Sequence, residues 1–142
     1  MSKHKKGYQP STDTIEPKII NELEAAGFSV EKNHDDILVG RRLDPYTYRP
    51  RTDWVEIKNK SPFGLNGKIL EGVIRDSQFR ILWNYTGQYN ICWTSKQIEN
   101  IGVYDGVLQL TGLTPALFRA NFQDYLTPKM LKYLREEKIL NF

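Results

Sequence analysis

Glu56-Ile57-Lys58 is the tripeptide whose residue types and spacing could run hydrolytic chemistry. In a strand, residues i and i+2 point to one face, so Glu56 and Lys58 project together. Trp54 joins them on that side, while Val55 and Ile57 pack on the other. A carboxylate beside a lysine can hold a divalent cation and position or deprotonate water. Mg²⁺ takes hard oxygen ligands, typically one or two carboxylates plus substrate phosphate oxygens. The chain carries two further Glu-x-Lys triplets, Glu16-Pro17-Lys18 and Glu136-Glu137-Lys138. Both fall on expected helices, where i and i+2 diverge. For the middle tripeptide taken alone, a surface ion pair on an exposed strand face is the better reading.

A second carboxylate stands upstream. Asp36 precedes Ile37-Leu38-Val39, at the mouth of a strand that could pair with 53–59. Together they would form a two-carboxylate metal site. Asp35 competes for the role, since consecutive strand residues face opposite ways, and a simple Asp turn at the strand start is the plainer alternative. Glu16 lies three, four and seven residues before Ile19, Ile20 and Leu23, along the buried stripe of a first helix. There an acid must find a partner or a metal, because burying it unpaired is costly. A first-turn Glu complementing the helix dipole is the rival reading. Glu22 reads as well off the stripe, and Glu24 as nearer its edge.

The elements that must position these groups follow from periodicity and punctuation. Residues 1–12 read as a loose basic arm. A helix should begin near Ser11–Thr14, with Pro17 in its first turn and Gly27 as the stop. Phe28–Lys32 is extended. Asp36–Arg42 and Asp53–Asn59 read as paired strands, joined by a ten-residue wing, 43–52, that holds Pro45 and Pro50. Ile69–Tyr85 is helical in its later part, Tyr89–Thr94 a buried strand, and Ser95–Ile101 a short helix capped by Ser95. Val103–Leu110 reads as a short strand or hairpin. Thr114-Pro115 and Thr127-Pro128 each pair a cap with proline at the first helical position, so two helices close the chain. The result is a mixed α/β layer architecture.

Composition sets bounds. The 142 residues fit one domain, 13–142, with one sizeable core. Hydrophobic residues at 39% and charged residues at 26% are ordinary for a globular chain. No apolar run reaches membrane-spanning length, and the basic N-terminus is followed by no apolar stretch; the chain is expected to be cytoplasmic, in the host cytoplasm if virus-encoded. Cys92 stands alone and reads as a buried strand residue, and two histidines give no zinc spacing, which leaves His34 a turn residue. The net charge of +3 is mild. Its distribution says more: Arg41, Arg42, Arg49 and Arg51, interleaved with Tyr46 and Tyr48, suit a wing that grips phosphates and stacks on bases. A charged hairpin that keeps the sheet edge soluble is the alternative. Arg75 and Arg80 could reach phosphates, or be ordinary solvated helix charges.

Glu16, Asp36-Ile37-Leu38-Val39, Glu56-Ile57-Lys58 and Ser77-Gln78, in that order, resemble the PD-(D/E)xK nuclease superfamily, nearest its virus-type replication-repair (VRR-NUC) and Holliday-junction-resolvase-like branches. The resemblance covers about 13–101. It implies a restriction-endonuclease-like core, a small mixed sheet flanked by helices, with residues 102–142 as a helical addition. It also implies cleavage of DNA in repair, recombination or replication with Mg²⁺, or Mn²⁺ in its place. Asp36 and Glu56, with the Ile57 carbonyl, would ligate the metal; Glu16 would bind a second metal or its water shell. Lys58 would orient the attacking water and stabilise transition-state charge. Gln78 would hold the nucleophile or a phosphate. Asp35 stands where the pattern has proline, and the 43–52 insert has no counterpart. A homodimer would supply two sites for two cuts. The competing expectations are a non-catalytic DNA-binding module on the same fold and a structural α/β protein with an incidental Glu-x-Lys.

Overall fold

A computed structural model describes residues 12–33, 37–104 and 106–141, and the side chains from residue 17 onward within them. Asp35, Asp36 and His34, the basic arm before residue 12, and the Glu16 side chain therefore lie outside the described set.

The chain runs α1 (Thr12–Ala25), β1 (Ser29–Lys32), β2 (Leu38–Leu43), β3 (Pro50–Ile57), α2 (Asp76–Asn84), β4 (Gln88–Cys92), α3 (Ser95–Glu99), α4 (Leu108–Thr111), α5 (Pro115–Tyr125) and α6 (Pro128–Glu136). The four strands form one mixed sheet in the order β1-β2-β3-β4. β1–β2 and β2–β3 are antiparallel, and β3–β4 is parallel, the crossover passing through α2.

Period-two alternation in β3 divides the core into two layers. Val55 and Ile57 face α1, where they pack with Ile19, Leu23, Leu38 and Cys92. Tyr89 and Ile91 of β4 face the other way and pack with Phe79 and Leu82 of α2 and Phe118 of α5. Cys92 is buried as expected. α5 and α6 share this second layer: Phe118 meets Phe79 at 5.7 Å, and Arg119 donates to the Tyr85 carbonyl, 2.9 Å away, just past the end of α2. α5 and α6 begin where the Thr-Pro pairs place them, capped by Thr114 and Thr127.

Several boundaries differ from the sequence reading. The wing is shorter: β2 and β3 zip to Leu43↔Pro50, leaving 44–49 as the hairpin loop. Pro50 is accommodated as the first residue of its strand, where a missing N–H matters least. Pro17 lies inside α1 rather than in its first turn, because the helix already begins at Thr12. Thr94, not Ser95, caps α3, its hydroxyl accepting from the Gln97 amide at 3.2 Å. Among the described residues of 103–110 the expected strand or hairpin does not form; Leu110 and Thr111 instead bond back to the Val107 carbonyl and close a short helical turn, α4. The sheet contact falls later, where Leu113 exchanges two backbone bonds with Ile91. Gly112 permits it: its φ is 72°, and a Cβ there would strike the Ile91 carbonyl. None of the helices among the described residues is long and apolar enough to cross a membrane.

Candidate active site

Glu56 and Lys58 sit at the C-terminal end of β3 on its half-buried face, with Trp54 one step back. Alternation holds here because Asp53, Val55 and Ile57 are all buried on the opposite face. Trp54 packs against Tyr85 at 5.8 Å, which makes it part of the wall rather than an open platform.

Lys58 donates from Nζ to Gln78 Oε1 at 3.0 Å. Gln78 is buried in the first turn of α2, and the same oxygen accepts the Arg75 amide N–H at 3.1 Å. One side chain thus closes the start of α2, by reaching back to an amide without an intrahelical partner, and ties that helix to the end of β3. Partial burial pushes the Lys58 ammonium below the ordinary lysine value; the Glu56 carboxylate opposes that shift and Arg75 adds to it. Glu56, Lys58, Gln78 and Arg75 therefore form one electrostatic neighbourhood.

At the end of β3, Lys58 also borders a small cavity of about 150 Å³ that Lys18, Glu22, Ile57 and Ser95 help to line. One Glu22 carboxylate oxygen is buried and has no hydrogen-bond partner among the described residues. The reading of Glu22 as off the buried stripe needs correction. It lies three residues after Ile19 and beside Leu23, both buried, so that helical turn aims it at the sheet. Glu22 is thus an α1 acid that lines the same cavity as Lys58.

Tyr89 was legible only as a strand residue. The parallel register sets it beside Trp54, on the face that carries Glu56. Its side chain is fully buried and its hydroxyl has no hydrogen-bond partner among the described residues. Burial, reinforced by the negative charge of Glu56, pushes the phenol well above its ordinary value. No short sequence pattern could flag it, because its neighbourhood depends on pairing across the α2 crossover.

The arginines separate into two kinds. Arg42 donates to the Ala26 and Ile101 carbonyls, each at 2.9 Å, and its guanidinium lies 4.2 Å from the Phe28 ring centroid. Gly40 leaves room for that ring, which a Cβ would meet at 2.9 Å. Arg51 grips the fully buried Asp53 through two bonds of 2.6 and 2.8 Å and also pairs with Asp44 at 3.0 Å. Arg41 pairs with Glu31 at 2.8 Å on the surface. Only Arg49, with Tyr46 and Tyr48, stays exposed at the hairpin tip without an ion pair among the described residues. That tip lies at the far end of β3 from Glu56, roughly 20 Å away at about 3.3 Å per residue. Arg75 and Arg80 are also exposed, and neither enters an ion pair among the described residues.

Among the described residues no group of three or more His, Cys, Asp or Glu side chains is gathered as a metal site. Glu56, as a carboxylate, is nonetheless a hard oxygen donor suited to Mg²⁺. The other two acids expected there, Asp36 and Glu16, fall outside the described side chains. Asn33 brackets the segment holding Asp36, since its Oδ1 accepts the Ile37 amide and its own amide donates to the Ile37 carbonyl, each at 2.9 Å. Comparison of the chain with family models, with curated proteins and with solved structures finds no match.

Proposed function

We propose that the protein is a metal-dependent DNA nuclease of the PD-(D/E)xK type, centred on Glu56 and Lys58. The observation that carries the reading is the Lys58–Gln78 bond of 3.0 Å. It joins the strand-end lysine to the glutamine at the start of the next helix, two positions the family pattern connects. The element order α1-β1-β2-β3-α2-β4, with two antiparallel pairs followed by a parallel one, supports a restriction-endonuclease-like core.

In this reading Glu56 and the Ile57 carbonyl would hold a divalent cation together with Asp36, and Glu16 would bind a second metal or its water shell. A cation held there would act as a Lewis acid towards phosphate and lower the pKa of bound water. Lys58, fixed by Gln78, orients the attacking water and faces the negative charge that develops on the phosphoryl oxygens. Arg75 and Arg80, which enter no ion pair among the described residues, hold backbone phosphates beside the site. Arg49, Tyr46 and Tyr48 offer a distant second contact. Arg42 and Arg51 leave the proposed DNA surface because their guanidiniums are bound within the fold.

The test is incubation with supercoiled, linear and branched DNA in Mg²⁺, Mn²⁺ or chelator. Cleavage that needs metal is expected. Binding without cleavage under every condition would transfer the fold to a non-catalytic DNA-binding role.

A further inference from the structure

A cleft of about 730 Å³ opens between the start of α2 and α6, next to the candidate site. Its floor is apolar, built from the buried side chains of Ile74, Phe79, Met130 and Leu134. Tyr133 forms one wall and is 45% exposed. Its hydroxyl donates to Asp76 Oδ2 at 2.6 Å, so the ring is held in place rather than free to sweep. Arg75, Arg80 and Lys129 stand at the rim. The two rim acids are already engaged, Asp76 by Tyr133 and Glu71 by Lys129 at 3.3 Å. What remains for a ligand is an apolar slot, a fixed aromatic face and two guanidiniums that enter no ion pair among the described residues. A flat base with phosphates on either side has matching chemistry.

Arg75 makes the cleft continuous with the site, since it lines the cleft and its charge also bears on Lys58. We infer that this cleft receives the base of one unpaired nucleotide, stacked on Tyr133, from the DNA strand that the Glu56–Lys58 site acts on. The inference rests on the nuclease reading for its strand, and on the cleft alone for its base. It assigns α6 a substrate-binding role and makes a locally unpaired strand the favoured substrate. The base on the floor and the flanking phosphates on Arg75 and Arg80 would together hold the neighbouring phosphodiester near Lys58.

Fluorescence anisotropy in chelator, with an oligothymidylate of about eight nucleotides and a hairpin duplex of matched charge, tests it. Tyr133→Ala should weaken oligothymidylate binding roughly five-fold or more, the effect of losing one base stack, and leave duplex binding unchanged. Tyr133→Phe keeps the ring but drops the bond that fixes it and engages Asp76, so it should lose less oligothymidylate binding than Tyr133→Ala. A loss as large as that of Tyr133→Ala would show that the hydroxyl and not the ring face carries the binding. Met130→Trp, which fills the floor, should repeat the Tyr133→Ala loss. Thermal unfolding of each variant confirms the fold. No oligothymidylate binding by the wild type, equal binding by Tyr133→Ala, or parallel losses on duplex and single strand would overturn the inference. Tyr133-dependent binding by a chain that never cuts DNA would keep the cleft and remove the nuclease reading. Cleavage without Tyr133-dependent binding would do the reverse.

Discussion

Gln78→Met removes the oxygen through which Gln78 joins α2 to the end of β3 while keeping the side chain's length and much of its volume. Two bonds disappear, from the Arg75 amide and from Lys58 Nζ. Losing a helix-start acceptor costs about 1 kcal/mol, and a hydrogen bond to a charged group contributes about 1.5 kcal/mol or more. The expected loss is therefore roughly 2–3 kcal/mol. For a domain of this size about 3 °C accompanies each kcal/mol, so Tm should fall by roughly 6–9 °C. Lys58→Met separates the two contributions. The fold already disfavours the Lys58 charge, because burial lowers its pKa, so this variant alone should be near neutral in stability. In its background Gln78→Met should cost only the helix-start share, about 1 kcal/mol. The four proteins form a double-mutant cycle, read by urea unfolding, whose coupling energy should be about 1.5 kcal/mol. A coupling energy near zero would refute the claim that Gln78 holds Lys58.

Three further outcomes follow from the same contacts. Arg51→Met should destabilise by about 3–5 kcal/mol in chemical unfolding, because it strands the buried Asp53 carboxylate, whereas Arg49→Ala should stay within about 0.5 kcal/mol; equal effects would contradict the division between internal and exposed arginines. The amides of Thr47 and Tyr46, with Arg51, hold the Asp44 carboxyl at about 2 against an ordinary 3.8. Its stabilising contribution is thus complete above 3.8 and is lost as pH falls through about 2, and Asp44→Asn should flatten the acid-unfolding limb across that window. Tyr89→Phe removes a buried hydroxyl without a partner among the described residues, so it should leave Tm unchanged or raise it by a few degrees; a clear fall would expose a hydrogen bond to that hydroxyl.

What was legible in the sequence followed from local rules. The alternation around Glu56 set its face and that of Lys58, and the Thr-Pro pairs set α5 and α6, because caps and pleats act within a few residues. The division of the arginines was not legible. Arg42 and Arg51 look like Arg49 in sequence, and only the packing of Phe28, the carbonyls of Ala26 and Ile101, and the buried Asp53 commit them inward. Glu22 was misread because a helix face was judged from too narrow a stripe. Residues 103–110 have strand-like composition, yet glycines at 102 and 106 with φ near 79° and 71° break the extension. The two-carboxylate arrangement expected at Asp36 and Glu56 stays an expectation, since Asp36 lies outside the described residues.

The most direct measurement is DNA cleavage by wild type, Glu56→Ala and Lys58→Ala, side by side in Mg²⁺ and in chelator, with thermal unfolding as the check on folding. Wild type should cut only with metal. Both variants should stay folded and bind DNA, and both should lose most cleavage, on the order of a hundred-fold or more as for loss of a transition-state charge partner. Cleavage by both variants at the wild-type rate would show that the catalytic centre is not at Glu56 and Lys58.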